Sequence, residues 1–195
     1  MASDVSFLRA LFDEKWTGLR FVSKTSKPLL QFDRICRAVD HSFSSTFAVS
    51  TKMLECQGSI RCLQIADNRE SMANTFHTKT NMNLDIAQKI VQGIPLRKTK
   101  EEYIEFGDIE QSDVYISYLY PESAMKIVRQ WQISTGTRLN NPLTSFASVC
   151  SSVIDSLNRN SIVFSVGCPE SRRVGGLGKE QMAAIVPSVL VSHIL

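Results

Sequence analysis

The sequence predicts an α+β fold, with a mainly helical N-terminal part and a mixed C-terminal part in which a small antiparallel sheet packs on helices. Three observations lead there. Apolar residues recur at spacings of three and four in the first 95 positions, while the clearest alternation lies at residues 113–120. Hydrophobic residues make up 43% of the 195 positions against 21% charged, and ten Phe, four Tyr and two Trp can anchor a core. The most charged run, Leu96-Arg97-Lys98-Thr99-Lys100-Glu101-Glu102, marks a connector at 96–102 between parts 1–95 and 103–195, or an exposed loop of one continuous domain.

Val5, Leu8, Leu11 and Phe12, behind Ser3 or Asp4 as N-cap, predict a first short helix that Gly18 ends. Pro28 suits the first turn of a second helix. Its apolar stripe is Leu29, Phe32, Ile35, Cys36 and Val39, and Arg34 and Arg37 share its polar side. Phe43 to Glu55 is rich in Ser, Thr and β-branched residues and fits a strand as well as a continued helix. Ile60 to Ile65 reads as a short strand closed by Asp67-Asn68. Leu84, Ala87, Ile90 and Val91 predict a helix over Leu84 to Gln92, capped by Asn83 and stopped by Gly93, with Pro95 beyond.

After the connector, Val114, Ile116, Tyr118 and Tyr120 alternate with Tyr115, Ser117 and Leu119. That strand can pair with 103–106 in a hairpin around Gly107-Asp108. Pro121-Glu122-Ser123 opens a helix through Ala124, Ile127, Val128 and Trp131, ended by Gly136. Behind Asn140 or Asn141, the residues Leu143, Phe146, Ala147, Cys150, Val153, Ile154 and Leu157 predict a helix over 142–158. Asn158-Arg159-Asn160 turns the chain into a strand at 162–166. A Gly-rich loop, a helix from about Lys179, a break at Pro187 and an apolar tail to Leu195 follow.

Charge and motifs then exclude function classes. Lys and Arg number 22 against 19 Asp and Glu, a net +3, far below the footprint of a dedicated nucleic-acid module, although local clusters can still form a patch. No apolar stretch approaches the roughly 18–20 residues of a bilayer span, Met1-Ala2-Ser3-Asp4 does not open a signal peptide, and Ala2 stands where myristoylation needs Gly. Cys36, Cys56, Cys62, Cys150 and Cys168 are odd in number and show no framework spacing, which predicts free thiols in an intracellular compartment, cytoplasm or nucleus. His41, His77 and His193 have no partner at ligand spacing, so neither a metal site nor a cofactor is expected.

The most enzyme-like stretch is the strand, Cys168, arginine, helix order of 163–179, the order of a cysteine-dependent phosphatase loop. Its spacing fails: Arg172 and Arg173 follow Cys168 after three and four residues, where five are required. No P-loop, Gly-x-Ser-x-Gly elbow or Gly-x-Gly-x-x-Gly turn is present either, and with 24 serines a Ser–His pairing carries no information. The remaining candidates are a polyanion-binding surface of Arg34, Arg37, Arg97, Lys98, Lys100, Arg172, Arg173 and Lys179, and a self-association arm of Val189, Leu190, Val191, Ile194 and Leu195. Together they predict a non-enzymatic, homo-oligomeric assembly protein contacting RNA or an anionic membrane surface, of viral matrix or nucleocapsid type. The alternatives are a small enzyme using an anion-binding loop at 167–179, and an adaptor for a partner protein.

Overall fold

The computed structural model describes residues 4–64, 67–141 and 146–195. It is α+β: a six-stranded antiparallel sheet in the order β2-β3-β1-β4-β6-β5, with helices on both faces. The strands are β1 (Trp16–Val22), β2 (Phe47–Ser50), β3 (Tyr103–Gly107), β4 (Val114–Leu119), β5 (Val163–Ser165) and β6 (Met182–Pro187). The helices are α1 (Asp4–Phe12), α2 (Ile35–Ser42), α3 (Gln57–Ser59, continued by a π-helical turn Ile60–Gln64), α4 (Arg69–Thr80), α5 (Leu84–Gln92), α6 (Pro121–Thr135), α7 (Ser148–Arg159) and α8 (Pro169–Val174).

Period-two alternation sorts the strand side chains into two cores. Leu19, Ile104, Phe106, Ile116, Tyr118, Ala183 and Ile185 face α2, α3, α4, α5 and α7. Trp16, Tyr115, Leu119, Phe164, Ala184 and Val186 face α1, α6 and the 3-10 turn Ser188–His193. β1 and β2, from before residue 96, pair with β3 and β4 from after residue 102, so the sheet joins both sides of the charged connector.

α5 matches its prediction in bounds and cap: the Asp85 amide donates to Asn83 Oδ1 at 2.7 Å. α6 likewise starts at Pro121 and ends at Gly136, whose φ of +67° suits glycine.

Elsewhere the structure corrects the expectation. α1 stops at Asp13, and Gly18 lies inside β1. A Cβ there would stand 2.0 Å from Ser112 Oγ, so this glycine serves close packing and not helix termination. The segment around Pro28 runs extended beside β2, its Pro28 carbonyl and Leu30 amide bonded to Ala48, and α2 begins only at Ile35. Ile60–Gln64 is helical and not a strand, held by the Gln64 amide donating to the Thr51 and Leu54 carbonyls. β3 and β4 do not form a hairpin, because β1 sits between them. The expected helix near Lys179 is replaced by β6, paired on both sides. α7 begins at Ser148, since Ala147 adopts φ +49°. Ser3, Ile65 and the 142–145 start of the expected helix lie outside the described residues.

Candidate functional site

Five free cysteines, scattered along the chain, meet on the α2 side of the sheet. Cys36 is the second residue of α2 and Cys150 the third of α7, while Cys56 and Cys168 immediately precede α3 and α8. Local bonds draw these helix starts together. The Cys56 amide donates to the Asp33 carbonyl at 3.0 Å, joining the start of α3 to that of α2. A Cβ on Gly58 would stand 3.1 Å from Cys150 Sγ, and one on Gly175 would stand 2.6 Å from Cys36 Cβ. Ser165 Oγ meets Ser148 Oγ and accepts from the Gly167 amide, fixing the α7 start beside the strand end that leads to Cys168. Cys36, Cys62 and Cys150 are buried, whereas Cys56 and Cys168 are partly open to solvent.

The thiols interact. Burial pushes the Cys36 thiol far above its ordinary value, and Cys150, Cys168 and Cys56 push it further, against the pull of the Arg34 guanidinium. Burial also raises Cys56, followed by Cys150, while the Gly58 and Ser59 amides oppose the rise. Cys150 is raised by its hydrogen bond with Cys62, then by burial and by Cys168. These groups are therefore neutral thiols at neutral pH, not the activated thiolates of a nucleophilic cysteine. Among the described residues no three His, Cys, Asp or Glu side chains stand close enough to ligate a single metal ion.

A rim of ion pairs lies on the Arg34 side of the cluster. Arg34 bonds Asp33 at 2.6 Å and also pairs with Glu170. Arg37 reaches Asp33 at 3.3 Å and Arg173 reaches Glu170 at 2.8 Å. Lys79 lies close enough to lower the Glu170 carboxyl further, behind the larger effects of Arg173. Four cations thus face two carboxylates.

A cleft of about 510 Å³ opens next to this cluster, lined by Arg9, Asp13, Lys15, Asp40, Phe43 and Tyr118, among others. Tyr118 is 6% exposed and its hydroxyl has no hydrogen-bond partner among the described residues. Burial raises its pKa well above the ordinary value, followed by Cys36, Asp40 and Cys168.

The eight predicted polyanion contacts do not form one surface. Arg97 is 6% exposed, stacks over the Phe21 ring at 4.6 Å and donates to the Glu101 carbonyl, which removes it from any solvent-facing patch. Arg172 is committed to the carbonyls of Val166, Gly178 and Gln181. Arg34, Arg37 and Arg173 belong to the rim, and Lys98, Lys100 and Lys179 are exposed. In the predicted self-association arm, Leu190, Val191 and Ile194 are buried in their own fold and only Val189 and Leu195 are exposed. Among the described residues no helix is long and apolar enough to cross a membrane.

Sequence reasoning missed the thiol cluster because ligand spacing rules are local, whereas these cysteines come from separate elements. The one available signal was the placement of Cys56 and Cys168 directly before helix starts, with Pro169 marking the second.

No curated protein and no solved structure matches the chain. A family model does, that of DUF169, described as uncharacterised ArCR, over residues 11–195. That span takes in the whole sheet, all five cysteines and the cleft lining apart from Arg9, and the chain belongs to the DUF169 family.

Proposed function

We propose that the chain is a metal–thiolate protein that carries a polynuclear iron–sulfur cluster on Cys36, Cys56, Cys150 and Cys168. The supporting observation is the meeting of four thiols, each in or just before the first turn of a different helix, within electrostatic range of one another. A polynuclear cluster is held by cysteine thiolates and places metal and sulfide atoms between their sulfurs. Thiolates bound to such a cluster carry net negative charge. The partial positive charge of helix starts and the Arg34 guanidinium both stabilise that charge, and metal binding removes the protons that burial otherwise holds on the thiols. The bound group supplies a one-electron redox centre.

Anaerobic incubation with ferrous iron and sulfide, followed by desalting, tests this reading. The wild type should retain iron and labile sulfide with a visible charge-transfer band, Cys36→Ser and Cys168→Ser should lose them, and Cys62→Ser should keep them. A wild type that leaves the column free of iron would show that the thiols are only small packed side chains.

Lys98, Lys100 and Lys179 are exposed and in no ion pair among the described residues, which favours a second reading, contact with a polyanion. Its test is whether charge reversal at Lys98 and Lys100 weakens binding to RNA or anionic vesicles and lowers the salt dependence.

A further inference from the structure

Cysteine is a weak choice directly before a helix, where Ser, Thr, Asp and Asn accept first-turn amides best. Cys168 nevertheless holds that position ahead of α8, and Ser171 engages it at three points. The Ser171 amide donates to Cys168 Sγ. The Ser171 hydroxyl accepts from the Cys168 amide at 2.9 Å and donates to the Cys168 carbonyl, also at 2.9 Å. Ser171 is itself fully buried, and its carbonyl accepts from the Gly175 and Leu177 amides at 3.1 and 3.3 Å. A Cβ on Gly167 would stand 2.4 Å from Leu177 Cδ2 and 3.1 Å from Ser171 Oγ, so a side chain there would displace this clamp. The next residue, Arg172, ties the carbonyls of Val166, Gly178 and Gln181 together. Cys168 thus has its backbone fixed while the residue stays partly open to solvent.

We propose that Ser171 is a positioning residue of the metal–thiolate site, aiming Cys168 at the cluster and raising the cluster's reduction potential through the amide that donates to the sulfur. The inference rests on the cluster reading above and assigns a task to a residue outside the ligand set. Reduction adds one negative charge, part of which falls on the ligand sulfurs. A donor at a sulfur therefore stabilises the reduced form more than the oxidised one and moves the potential up. Cys56, directly before α3, shows a similar arrangement, its sulfur meeting the Gly58 and Ser59 amides. Both partly open ligands thus carry amide donors at sulfur.

The Gly167–Cys168 bond is a ready junction for chemical ligation, so residues 168–195 can be supplied as a synthetic peptide and the full chain assembled. One peptide carries an ester in place of the amide between Glu170 and Ser171, which replaces the donating N–H by oxygen and keeps every side chain. The all-amide ligated chain is its reference, and Ser171→Ala, made by expression, removes the hydroxyl clamp. After anaerobic loading with ferrous iron and sulfide, both changes should shift the one-electron equilibrium against reduction by about tenfold, which is about 59 mV. Both should also speed iron loss to a chelator by about tenfold. A role confined to capping would lower the urea midpoint and leave the potential where it is. An unchanged potential in the ester chain overturns the proposal; if that chain does not refold, an unchanged potential in Ser171→Ala overturns it. Loss of the cluster from both, with an unchanged circular dichroism spectrum, supports it, because Cys168 is then no longer aimed. A reference chain that itself retains no iron sinks the cluster reading and this inference with it, whereas a loaded reference with unmoved variants sinks this inference alone.

Discussion

Replacing Arg172 should unfold the protein more readily without affecting any polyanion contact. Its terminal guanidinium nitrogens donate to the carbonyls of Val166 and Gly178, and to that of Gln181 at 3.1 Å, closing the chain from 166 to 181 around α8. Hydrogen bonds to a charged donor contribute about 1.5–3 kcal/mol each, but the loop can relax and let water reach some of the freed carbonyls. The sum for Arg172→Ala is therefore about 3–5 kcal/mol, the range for breaking a buried charged contact. For a chain of this size that corresponds to a fall in Tm of roughly 6–20 °C, at about 2–4 °C per kcal/mol. Arg172→Lys should recover less than half of the loss, because an ammonium cannot span three acceptors with a planar fork. Urea unfolding followed by circular dichroism measures both variants, with the slope checked for constancy. A midpoint shift equivalent to less than about 0.5 kcal/mol would refute the reasoning and return Arg172 to the pool of free surface cations.

Ile154 is fully buried on α7, so Ile154→Ala should cost about 2–5 kcal/mol, while Phe146, half-buried against Phe76 at 4.9 Å, should cost less; equal urea midpoints for both variants would refute that ranking. Deleting residues 188–195 removes the buried Leu190, Val191 and Ile194 together with the edge contact of His193 on Trp131, so circular dichroism should report unfolding. A folded monomer after that truncation would instead favour an exchanged arm. Burial raises the Asp113 carboxyl above its usual 3.8, so the folded state holds this proton more tightly than the unfolded state. Stability therefore falls as pH rises from 3.8 through the raised value, and the full penalty stands at pH 7. Asp113→Asn keeps an acceptor for the Phe21 amide and removes the titration, so the variant should gain on wild type between pH 3 and pH 7; a difference independent of pH would contradict this.

The legible elements were those in which several signals agreed. α5 has an apolar stripe, a capping Asn83 and a Gly93 stop, and β4 has strict alternation, so local rules were enough. Ile60–Gln64 and Met182–Pro187 are short apolar runs whose period does not separate helix from strand, and the tertiary setting decided each in opposite directions. The hairpin expectation at β3 and β4 failed because sequence neighbours need not be sheet neighbours once β1 takes the place between them. The sequence neighbours of Arg97 and Arg172 predict surface charges, while the actual partners, Phe21 for one and Gly178 for the other, are supplied by folding. The cysteine cluster is wholly a product of long-range packing.

β6 pairs with β4 on one side and β5 on the other, and among the described residues β5 has no other strand partner. During synthesis at ~5–20 residues per second, β4 waits on the order of 3–12 s between completion at Leu119 and the arrival of Met182. Throughout that delay its Val114, Tyr115, Ile116 and Leu119 form an open, apolar sheet edge in the nascent chain, available to pair with another polypeptide. Conditions that stall translation between these two strands should therefore raise aggregation far more than stalls before residue 114, and a holding chaperone that shields β4 should relieve it.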